Sequence, residues 1–419
     1  MMYTGIYKYV IISSSVIYSM VHIPMLTRRR LVLCALSVLF LAPGVSSAAI
    51  IAKPFEVSGW IPYWRTATGT ADTLMHLDVF TEVNPFGYTV QEDGRLWDAA
   101  AISVEPWTTL RAEAKAKGVR FIPTVMWSDA QAIHAVLGDP KLRAAHIRYI
   151  VDEVYVNEFD GIDIDYEGKM AETRPHFSRF LKELYVAMGD KWVQCTIEAR
   201  TPLDSRYESP EDIPADLEYA NDFAVISKNC DRVRFMTYDQ QTVDVKLGKA
   251  TQNPYGPVSD VRWVEKSILE AMKTIPKRKI VIGVPTYGYE WKVTTYANNE
   301  HAYDLLWTYN PEHGHQVASE YNVIPGRNEG GEVGFTYIPS TLPLAMARPQ
   351  TAWPWNLVAA AAAILTTAQN TNISYHMMTW SDAEAIRQKV ELAKRLGVRG
   401  VAIFKIDGGE DPAMWSHLK

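Results

Sequence analysis

Residues 159–167 read Phe-Asp-Gly-Ile-Asp-Ile-Asp-Tyr-Glu, a run that places four carboxylates among β-branched and aromatic side chains. Such a composition favours extended backbone, so the run predicts a β-strand. Side chains alternate between the faces of a strand, which puts Asp163, Asp165 and Glu167 on one face at steps of about 7 Å. The alternate residues are apolar and suit a face that helices cover.

Three carboxyl groups in a row are costly to bury, because each loses solvation and repels its neighbours. A fold keeps such a row mainly where crowding raises the pKa of one carboxyl enough to hold a proton at neutral pH. The pattern is that of a general acid, Glu167, with two supporting carboxylates. We interpret it as a catalytic site and not as a solvated polar face.

The same run resembles the signature of glycoside hydrolase family 18, with acids at the spacing Asp-x-x-Asp-x-Asp-x-Glu. Further stretches similar to family motifs follow the chain order: 59–64 (Gly-Trp-Ile-Pro-Tyr-Trp), 235–239 (Phe-Met-Thr-Tyr-Asp) and 283–288 (Gly-Val-Pro-Thr-Tyr-Gly). The family contains chitinases, endo-β-N-acetylglucosaminidases and peptidoglycan glucosaminidases. The resemblance therefore implies a hydrolase that acts on polymers of β-1,4-linked N-acetylglucosamine.

Apolar strand-like runs alternate with helical stretches, which is typical of a parallel α/β fold. Eight runs are predicted to be strands: 56–63, 77–84, 119–127, 158–166, 192–199, 232–239, 279–286 and 398–405. Eight such strands form a closed (β/α)8 TIM barrel, whose chemistry lies at the C-terminal strand ends. Glu167 and Asp239 fall at such ends.

The interval between the seventh and eighth strands is about 110 residues, whereas a single crossover needs a few dozen. Turn signals and aromatic rings cluster in this interval, and the family often inserts a small α+β domain here. We therefore predict a catalytic barrel of residues 53–289 and 376–419, interrupted by an insertion domain at residues 290–375.

The resemblance also implies a mechanism in which the substrate's own 2-acetamido group replaces the usual second carboxylate as nucleophile. Glu167 would protonate the glycosidic oxygen and later deprotonate a water molecule. Asp165 would orient the acetamido N–H, and Asp163 would hold Asp165. Tyr238 would donate its hydroxyl to the acetamido oxygen, and Asp239 would support the sugar or its acetamido pocket.

Phe404 stands where the family usually has a tryptophan that forms the floor under the sugar, so we expect weaker activity or a different preferred sugar. Asp160 has the opposite strand parity and is expected to brace the motif without touching substrate. The other predicted sugar contacts are Met236, Trp60, Trp64, Phe86 and Tyr287. Core packing is an equally good interpretation of each of these rings.

A net charge of −6 over 419 residues gives no electrostatic reason to expect nucleic acid or an anionic membrane surface as a partner. The 13 Trp and 22 Tyr suit a carbohydrate groove, since aromatic rings stack on the apolar faces of sugars. The His and Cys spacing does not indicate zinc, so neither a metal nor another cofactor is expected.

Residues 1–48 are predicted to be a targeting segment. Arginines at 28–30 precede an apolar run at 31–41, and small residues at 46–48 suit cleavage, so a signal peptide would run from Met25 to Ala48. The protein is then expected to be exported to the periplasm, the cell wall or the extracellular space. Two alternatives stand: the run from Leu31 to Ala52 is long enough to remain as an uncleaved membrane anchor, and this run and the apolar stretch from Tyr9 to Pro24 could both be inserted in a membrane.

Cys195 and Cys230 lie near the starts of neighbouring predicted strands. Export would permit a disulfide, but we predict two buried free thiols.

The stretches 84–88, 93–96 and 237–240 resemble the bacterial branch with spore-cortex and cell-wall glucosaminidases. That resemblance places peptidoglycan fragments ahead of chitin as the expected substrate. Two alternatives belong to other classes of protein. One is a sugar-binding lectin on the same barrel, against which the intact Glu167 argues; the other is a membrane-anchored scaffold that uses the barrel for protein contacts.

Overall fold

The computed structural model describes residues 55–251, 253–339, 352 and 354–419, so the predicted targeting segment lies outside the described residues. The strands of this part are β1 (Glu56–Pro62), β2 (Glu82–Val90), β3 (Leu96–Asp98), β4 (Arg120–Phe121), β5 (Thr124–Trp127), β6 (Gly161–Tyr166), β7 (Trp192–Glu198), β8 (Arg232–Met236), β9 (Ile280–Pro285), β10 (Gly288–Thr295), β11 (His301–Tyr309), β12 (Gly326–Arg327), β13 (Val333–Tyr337), β14 (Ile373–Trp380) and β15 (Gly400–Phe404).

The helices are α1 (Thr66–Met75), α2 (Trp107–Lys117), α3 (Ala130–Gly138), α4 (Pro140–Val156), α5 (Arg174–Ala187), α6 (Leu203–Arg206), α7 (Phe223–Asn229), α8 (Val245–Ala250), α9 (Val261–Met272), α10 (Pro311–Glu320), α11 (Leu357–Gln369) and α12 (Ala383–Leu396). Among these described helices, none combines the length and the apolar character that crossing a membrane requires.

Eight parallel strands close into a barrel in the order β1, β2, β5, β6, β7, β8, β9 and β15, and β15 pairs with β1. Every neighbouring pair is parallel, and helices surround the strands. The predicted (β/α)8 TIM barrel is confirmed.

Strand β6 has the two faces that its sequence predicts. On the outer face, Tyr166 is buried and its ring lies 5.5 Å from that of Phe180 and 6.1 Å from that of Phe177, both on α5. On the inner face, Asp163 is fully buried inside the barrel. The strand begins at Gly161, where a Cβ atom would lie 2.2 Å from the carbonyl oxygen of Trp192, so only glycine fits between these strands.

The second barrel strand is not at 77–84, and that prediction was wrong. Leu77–Val79 form a turn of 3-10 helix, and the strand runs from Glu82 to Val90. The sequence misleads because Pro85 and Gly87 lie inside the strand, where they usually indicate a break. Here the pairing with β5 shifts register beside Gly87, and such an irregularity tolerates both residue types.

The third predicted strand, 119–127, is divided into β4 and β5. The division falls at Pro123, which has no backbone N–H to give to a neighbouring strand. The carbonyl oxygen of Pro123 accepts a hydrogen bond of 2.9 Å from the Asp163 N–H, so the residue between β4 and β5 is still bonded to β6.

A second, antiparallel sheet lies between barrel strands β9 and β15 in the order β11, β10, β14, β13 and β12. With helices α10 and α11 it forms the predicted α+β insertion, although the predicted limits of 290 and 375 fall within β10 and β14. Ala359 and Ala362 of α11 pack in one hydrophobic cluster with Trp291 of β10, and this cluster continues into Tyr238 and Tyr287. The insertion is therefore packed against the end of the barrel where β8 and β9 finish.

The two buried cysteines form a disulfide, so the prediction of free thiols was wrong. Cys195 on β7 and Cys230 just before β8 have Cα atoms 5.9 Å apart, and both side chains are fully buried. The sequence places them on neighbouring strands, but pairing also requires a matched register, which only the barrel geometry supplies.

Candidate active site

Asp163 is the fixed point of the site, because side chains from four other strands hold it. Its carboxylate accepts hydrogen bonds from Trp60 Nε1 at 3.0 Å, Thr124 Oγ1 at 2.9 Å and Thr196 Oγ1 at 2.9 Å. Arg234 Nη1 adds an ion pair at 3.1 Å. Burial raises the pKa of Asp163 to about 6, although the hydrogen bonds from Trp60, Thr124 and Thr196 act in the opposite direction.

Asp165 lies two residues further along the same face and is 3 % exposed. Its Oδ1 atom has no hydrogen-bond partner among the residues that the structure describes. Burial, and then the negative charges of Glu167 and Asp163, raise the pKa of Asp165 well above its usual range. This oxygen can therefore accept a hydrogen bond from a group that the described residues do not supply.

Glu167 follows the last residue of β6 and is half-buried. Its backbone N–H donates to the Trp127 carbonyl oxygen at 2.8 Å, which extends the pairing with β5 to this position. Burial, and then the charges of Glu198 and Asp239, raise the pKa of its carboxyl group. Glu167 therefore holds a proton to higher pH than an exposed glutamate, and solvent still reaches it.

Glu198 and Lys169 border this carboxyl group and were not predicted from the sequence. Glu198, at the end of β7, accepts hydrogen bonds from the Gly168 N–H at 3.0 Å and from Asn221 Nδ2 at 2.7 Å. Lys169 is buried, with Nζ 3.8 Å from Glu198 and 4.7 Å from the centre of the Phe177 ring. Within the described residues, no group of His, Cys, Asp and Glu is arranged to hold a metal ion.

Phe404, the last residue of β15, is the centre of an aromatic floor. Its ring lies parallel to that of Tyr238, with centroids 5.2 Å apart and an angle of 14° between the planes. The rings of Trp60, Phe86 and Tyr287 meet it edge-on at 6.0, 6.3 and 6.1 Å. Phe404 itself is half-buried, so part of this residue remains exposed.

Strand β8 ends at Met236, and the residues after it turn towards the insertion. Tyr238 is 6 % exposed, and partly buried Met236 packs against the same hydrophobic cluster. Asp239 is exposed and has a φ of 56°, a left-handed conformation that aspartate tolerates better than most residues. The hydroxyl groups of Tyr287 and Tyr289 both donate to Asp239 Oδ1, which fixes this carboxylate at the rim.

Some predicted site residues lie away from the groove surface. Trp60 is 1 % exposed, and its indole N–H donates to Asp163, so in this structure it holds that carboxylate in place. Trp64, in contrast, is 51 % exposed. Asp160 lies at the opposite end of β6 from Glu167, where its carboxylate accepts the Phe121 N–H at 2.8 Å.

Arg234 was missed although the sequence carried a signal for it. The guanidinium is 1 % exposed and contacts both Asp163 and Glu82 inside the barrel. Glu82 also accepts from Asn84 Nδ2 at 2.9 Å. The alternation Arg-Val-Arg at 232–234 puts two arginines on one face of β8, which is the inner face.

At the N-terminal end of the barrel, Glu56 forms a second charged cluster. It accepts from Arg232 Nε at 2.6 Å and from Arg399 Nη2 at 2.8 Å. Arg120 lies 3.5 Å from the same carboxylate. Charged groups therefore continue along the barrel interior from its base to the site.

Residues 60–409 match the model of the family Glycosyl hydrolases family 18. The match covers most of the chain and includes both the acidic run and the aromatic floor, and the chain belongs to this family.

Among the relatives, the uncharacterized glycosylase YvbX of Bacillus subtilis is 28 % identical over 264 residues, which are 63 % of this chain and 61 % of YvbX. The cortical fragment-lytic enzyme of Bacillus subtilis is 23 % identical over 345 residues, 81 % of this chain and 67 % of that protein. The chain thus spans less than two thirds of the length of YvbX.

Solved structures share the fold at low sequence identity. The class V chitininase from Pseudomonas fluorescens Pf-5 superposes with a TM-score of 0.64 at 20 % identity, over 87 % of this chain and 98 % of that one. The spore cortex-lytic enzyme SleL of Bacillus megaterium gives a TM-score of 0.61 at 20 % identity, over 87 % and 73 % of the two chains.

Proposed function

We propose that this protein is an exported glycoside hydrolase that cleaves β-1,4-linked polymers containing N-acetylglucosamine, with peptidoglycan ahead of chitin as the substrate. The observation that carries the proposal is the pair formed by Glu167 and Asp165. One is a half-buried carboxyl with a raised pKa, and the other is a buried carboxyl with an oxygen left without a partner among the described residues. Membership of a family of glycosyl hydrolases supports the same conclusion.

In the first step, the protonated Glu167 gives its proton to the glycosidic oxygen as the bond from that oxygen to the anomeric carbon breaks. The carbonyl oxygen of the 2-acetamido group attacks the anomeric carbon and forms an oxazolinium ion. Asp165 Oδ1 accepts the acetamido N–H and stabilises the positive charge that develops there. Asp163, held by four strands, keeps Asp165 in place.

In the second step, the Glu167 carboxylate takes a proton from a water molecule, whose oxygen attacks the anomeric carbon. The bond from that carbon to the acetamido oxygen breaks, so the oxazolinium ring opens and the acetamido group is restored. Two displacements on the same carbon retain its configuration. The Tyr238 hydroxyl donates a hydrogen bond to the acetamido oxygen. Asp239 binds the sugar at the rim of the site. Phe404 packs under the sugar with a smaller face than an indole would offer, which favours a slower reaction than a tryptophan floor gives.

Two observations support export and a cell-wall substrate. The Cys195–Cys230 disulfide is buried, and disulfides persist mainly in oxidising compartments outside the cytosol. The names of two similar proteins, a cortical fragment-lytic enzyme and a spore cortex-lytic enzyme, refer to the bacterial spore cortex, a cell-wall layer.

The proposal is tested by mass spectrometry of the products formed from purified peptidoglycan and, separately, from chitin oligosaccharides. We expect fragments that end in reducing N-acetylglucosamine with the wild-type protein and none with Glu167→Gln. Glu113→Gln, an exposed substitution on α2, is the matched control and should leave the products unchanged. Sugar binding without cleavage of either polymer would overturn the hydrolase and indicate a lectin.

A further inference from the structure

A cavity of about 370 Å³ adjoins the aromatic floor. Its lining includes Lys405 and Asp407, which follow Phe404 in the sequence, and also Trp64 and Arg65. Tyr287 is shared with the candidate active site. The ring of Trp64 lies 5.8 Å from that of Phe86, which in turn lies 6.3 Å from that of Phe404. Ring contacts thus link the floor, through the buried Phe86, to the exposed Trp64 at this cavity.

The charges in the cavity are arranged around one buried carboxylate. Lys405 Nζ donates to Asn310 Oδ1 at 2.9 Å and also to Asp407, whose side chain is 2 % exposed. The second oxygen of Asp407 accepts the Gly409 N–H at 3.1 Å. Asp407 therefore faces inward and holds Lys405, while the ammonium group lines the cavity.

Arg65 is different because its guanidinium is not engaged closely. Its Nε atom is 3.8 Å from Asp407, too far for a hydrogen bond, and 53 % of its side chain is exposed. Two cations against one carboxylate leave the cavity with a net charge of about +1. The adjacent site, in contrast, is lined by Glu167, Glu198 and Asp239.

A neutral chain of N-acetylglucosamine has no group that uses a positive charge beside an acidic cleavage point. Peptidoglycan has one, because alternate sugars carry a 3-O-lactyl group that ends in a carboxylate when no peptide is attached. A guanidinium matches a carboxylate with two parallel hydrogen bonds, and the ammonium adds a third donor.

We propose that Arg65 and Lys405 form a carboxylate-binding subsite that selects a glycan with a lactyl-bearing sugar next to the one lying over Phe404. This inference rests on the proposed function, since it assumes that the glycan occupies the groove. According to this inference, Arg65 and Lys405, which are far apart in the sequence, together make the protein prefer an acidic glycan to a neutral one.

The test compares three substrates: a neutral chitin oligosaccharide, a peptide-free glycan with free lactyl carboxylates, and the same glycan with those carboxyls amidated. For Arg65→Gln, we expect the ratio of kcat/KM for the acidic glycan to that for the amidated one to fall about tenfold, the effect of losing one charge-assisted contact. Arg65→Lys should retain part of the preference. Raised salt should lower it in the wild type.

Arg95→Gln is the matched control, because Arg95 lies in the turn between β2 and β3, pairs with Asp93 and has a side chain that is 62 % exposed. An unchanged ratio in Arg65→Gln, including an equal loss on both glycans, would overturn the subsite. Binding of both glycans to Glu167→Gln, measured by calorimetry, separates the two proposals. If the wild type cleaves nothing, the hydrolase fails, while equal affinity for the acidic and amidated glycans shows that the subsite fails.

Discussion

At the N-terminal end of the barrel, Glu56 lies among Arg232, Arg399 and Arg120, whereas at the C-terminal end Asp165 lies among other carboxyl groups. Burial raises the pKa of both groups. At Glu56 the hydrogen bonds from Arg232 and Arg399, together with the positive charges of Arg232 and Arg120, outweigh burial and bring the pKa down to about 2. At Asp165 the negative charges of Glu167 and Asp163 add to burial instead, and the positive charge of Lys169 offsets them only in part.

The difference shows how one barrel interior holds a carboxyl group with a lowered pKa at one end and one with a raised pKa at the other. Desolvation is common to all of them, so the position of the cations decides which carboxyls stay ionised. Asp163 lies between the two extremes, since Arg234 contacts it from the side of the base while Asp165 follows it towards the site. Along β6, the guanidinium contacts end at Asp163, and Asp165 and Glu167 beyond it have raised pKa values.

The largest effect should come from exchanging the acid at each end for its amide. We expect Glu167→Gln to lower kcat/KM about 10³-fold, the usual contribution of a general acid–base group, with little change in the free energy of unfolding. Glu56→Gln should do the opposite and cost stability while leaving a folded enzyme active. Loss of activity of the same size in both variants would contradict the division between the two ends.

Removing the cation between the two ends should cost stability. Arg234→Met leaves Glu82 and Asp163 as buried carboxylates without their shared partner, so we expect the free energy of unfolding in urea to fall by about 3–5 kcal/mol. Arg95→Met, at an exposed pair, should change it by less than about 0.5 kcal/mol. A small effect at Arg234 would mean that the two carboxyls are protonated in the folded protein.

The carboxyl groups Glu56 and Asp163 should also make the free energy of unfolding change with pH in opposite directions. Glu56 has a pKa lowered from 4.5 to about 2, so its contribution is present above 4.5 and is lost as the pH falls through 2. Asp163 has a pKa raised from 3.8 to about 6, so its contribution is present below 3.8 and is lost as the pH rises through 6.

Unfolding measured against pH checks these slopes. Relative to Glu56→Gln, the wild type should gain about 3 kcal/mol between pH 2 and 4.5; relative to Asp163→Asn, it should lose about 3 kcal/mol between pH 3.8 and 6. Slopes of the same sign would show that the cations do not set the titration.

The smallest effect concerns the contribution of a neighbouring charge to the pKa of Glu167. The charge of Glu198 raises the pKa of Glu167, so Glu198→Gln should move the basic limb of the kcat/KM profile to lower pH. A fraction of a pH unit is expected, because Glu198 is partly exposed and solvent screens its charge. Glu113→Gln serves as the control. A shift to higher pH would contradict the assigned electrostatics.

The sequence was sufficient for the barrel and for the row of acids because both depend on local alternation. In residues 159–167 every second residue faces the interior, and the structure places Asp163 there. Strand β2 was misplaced because Pro85 and Gly87 suggest a break locally, and only pairing with β5 shows that a register shift absorbs them.

Other contacts could not be predicted, even where alternation indicates an inward-facing residue, because they join distant segments. Arg234 binds Asp163 across 71 positions of sequence, and no pattern in β8 names that partner. The same holds for the disulfide and for the cavity, which joins Arg65 after β1, Asn310 in the insertion and Lys405 after β15. Pairwise geometry of this kind appears only once the barrel has closed.

Strand β15 lies between β1 and β9, so the last barrel strand to be synthesised joins the first. It also ends in Phe404, whereas the acid at Glu167 is made more than two hundred residues earlier. During synthesis, the chain therefore contains Glu167 long before it contains Phe404, the centre of the aromatic floor. A product that terminates before residue 400 would lack Phe404 and would leave β1 and β9 without the strand that joins them, so it would have neither the floor nor a closed barrel.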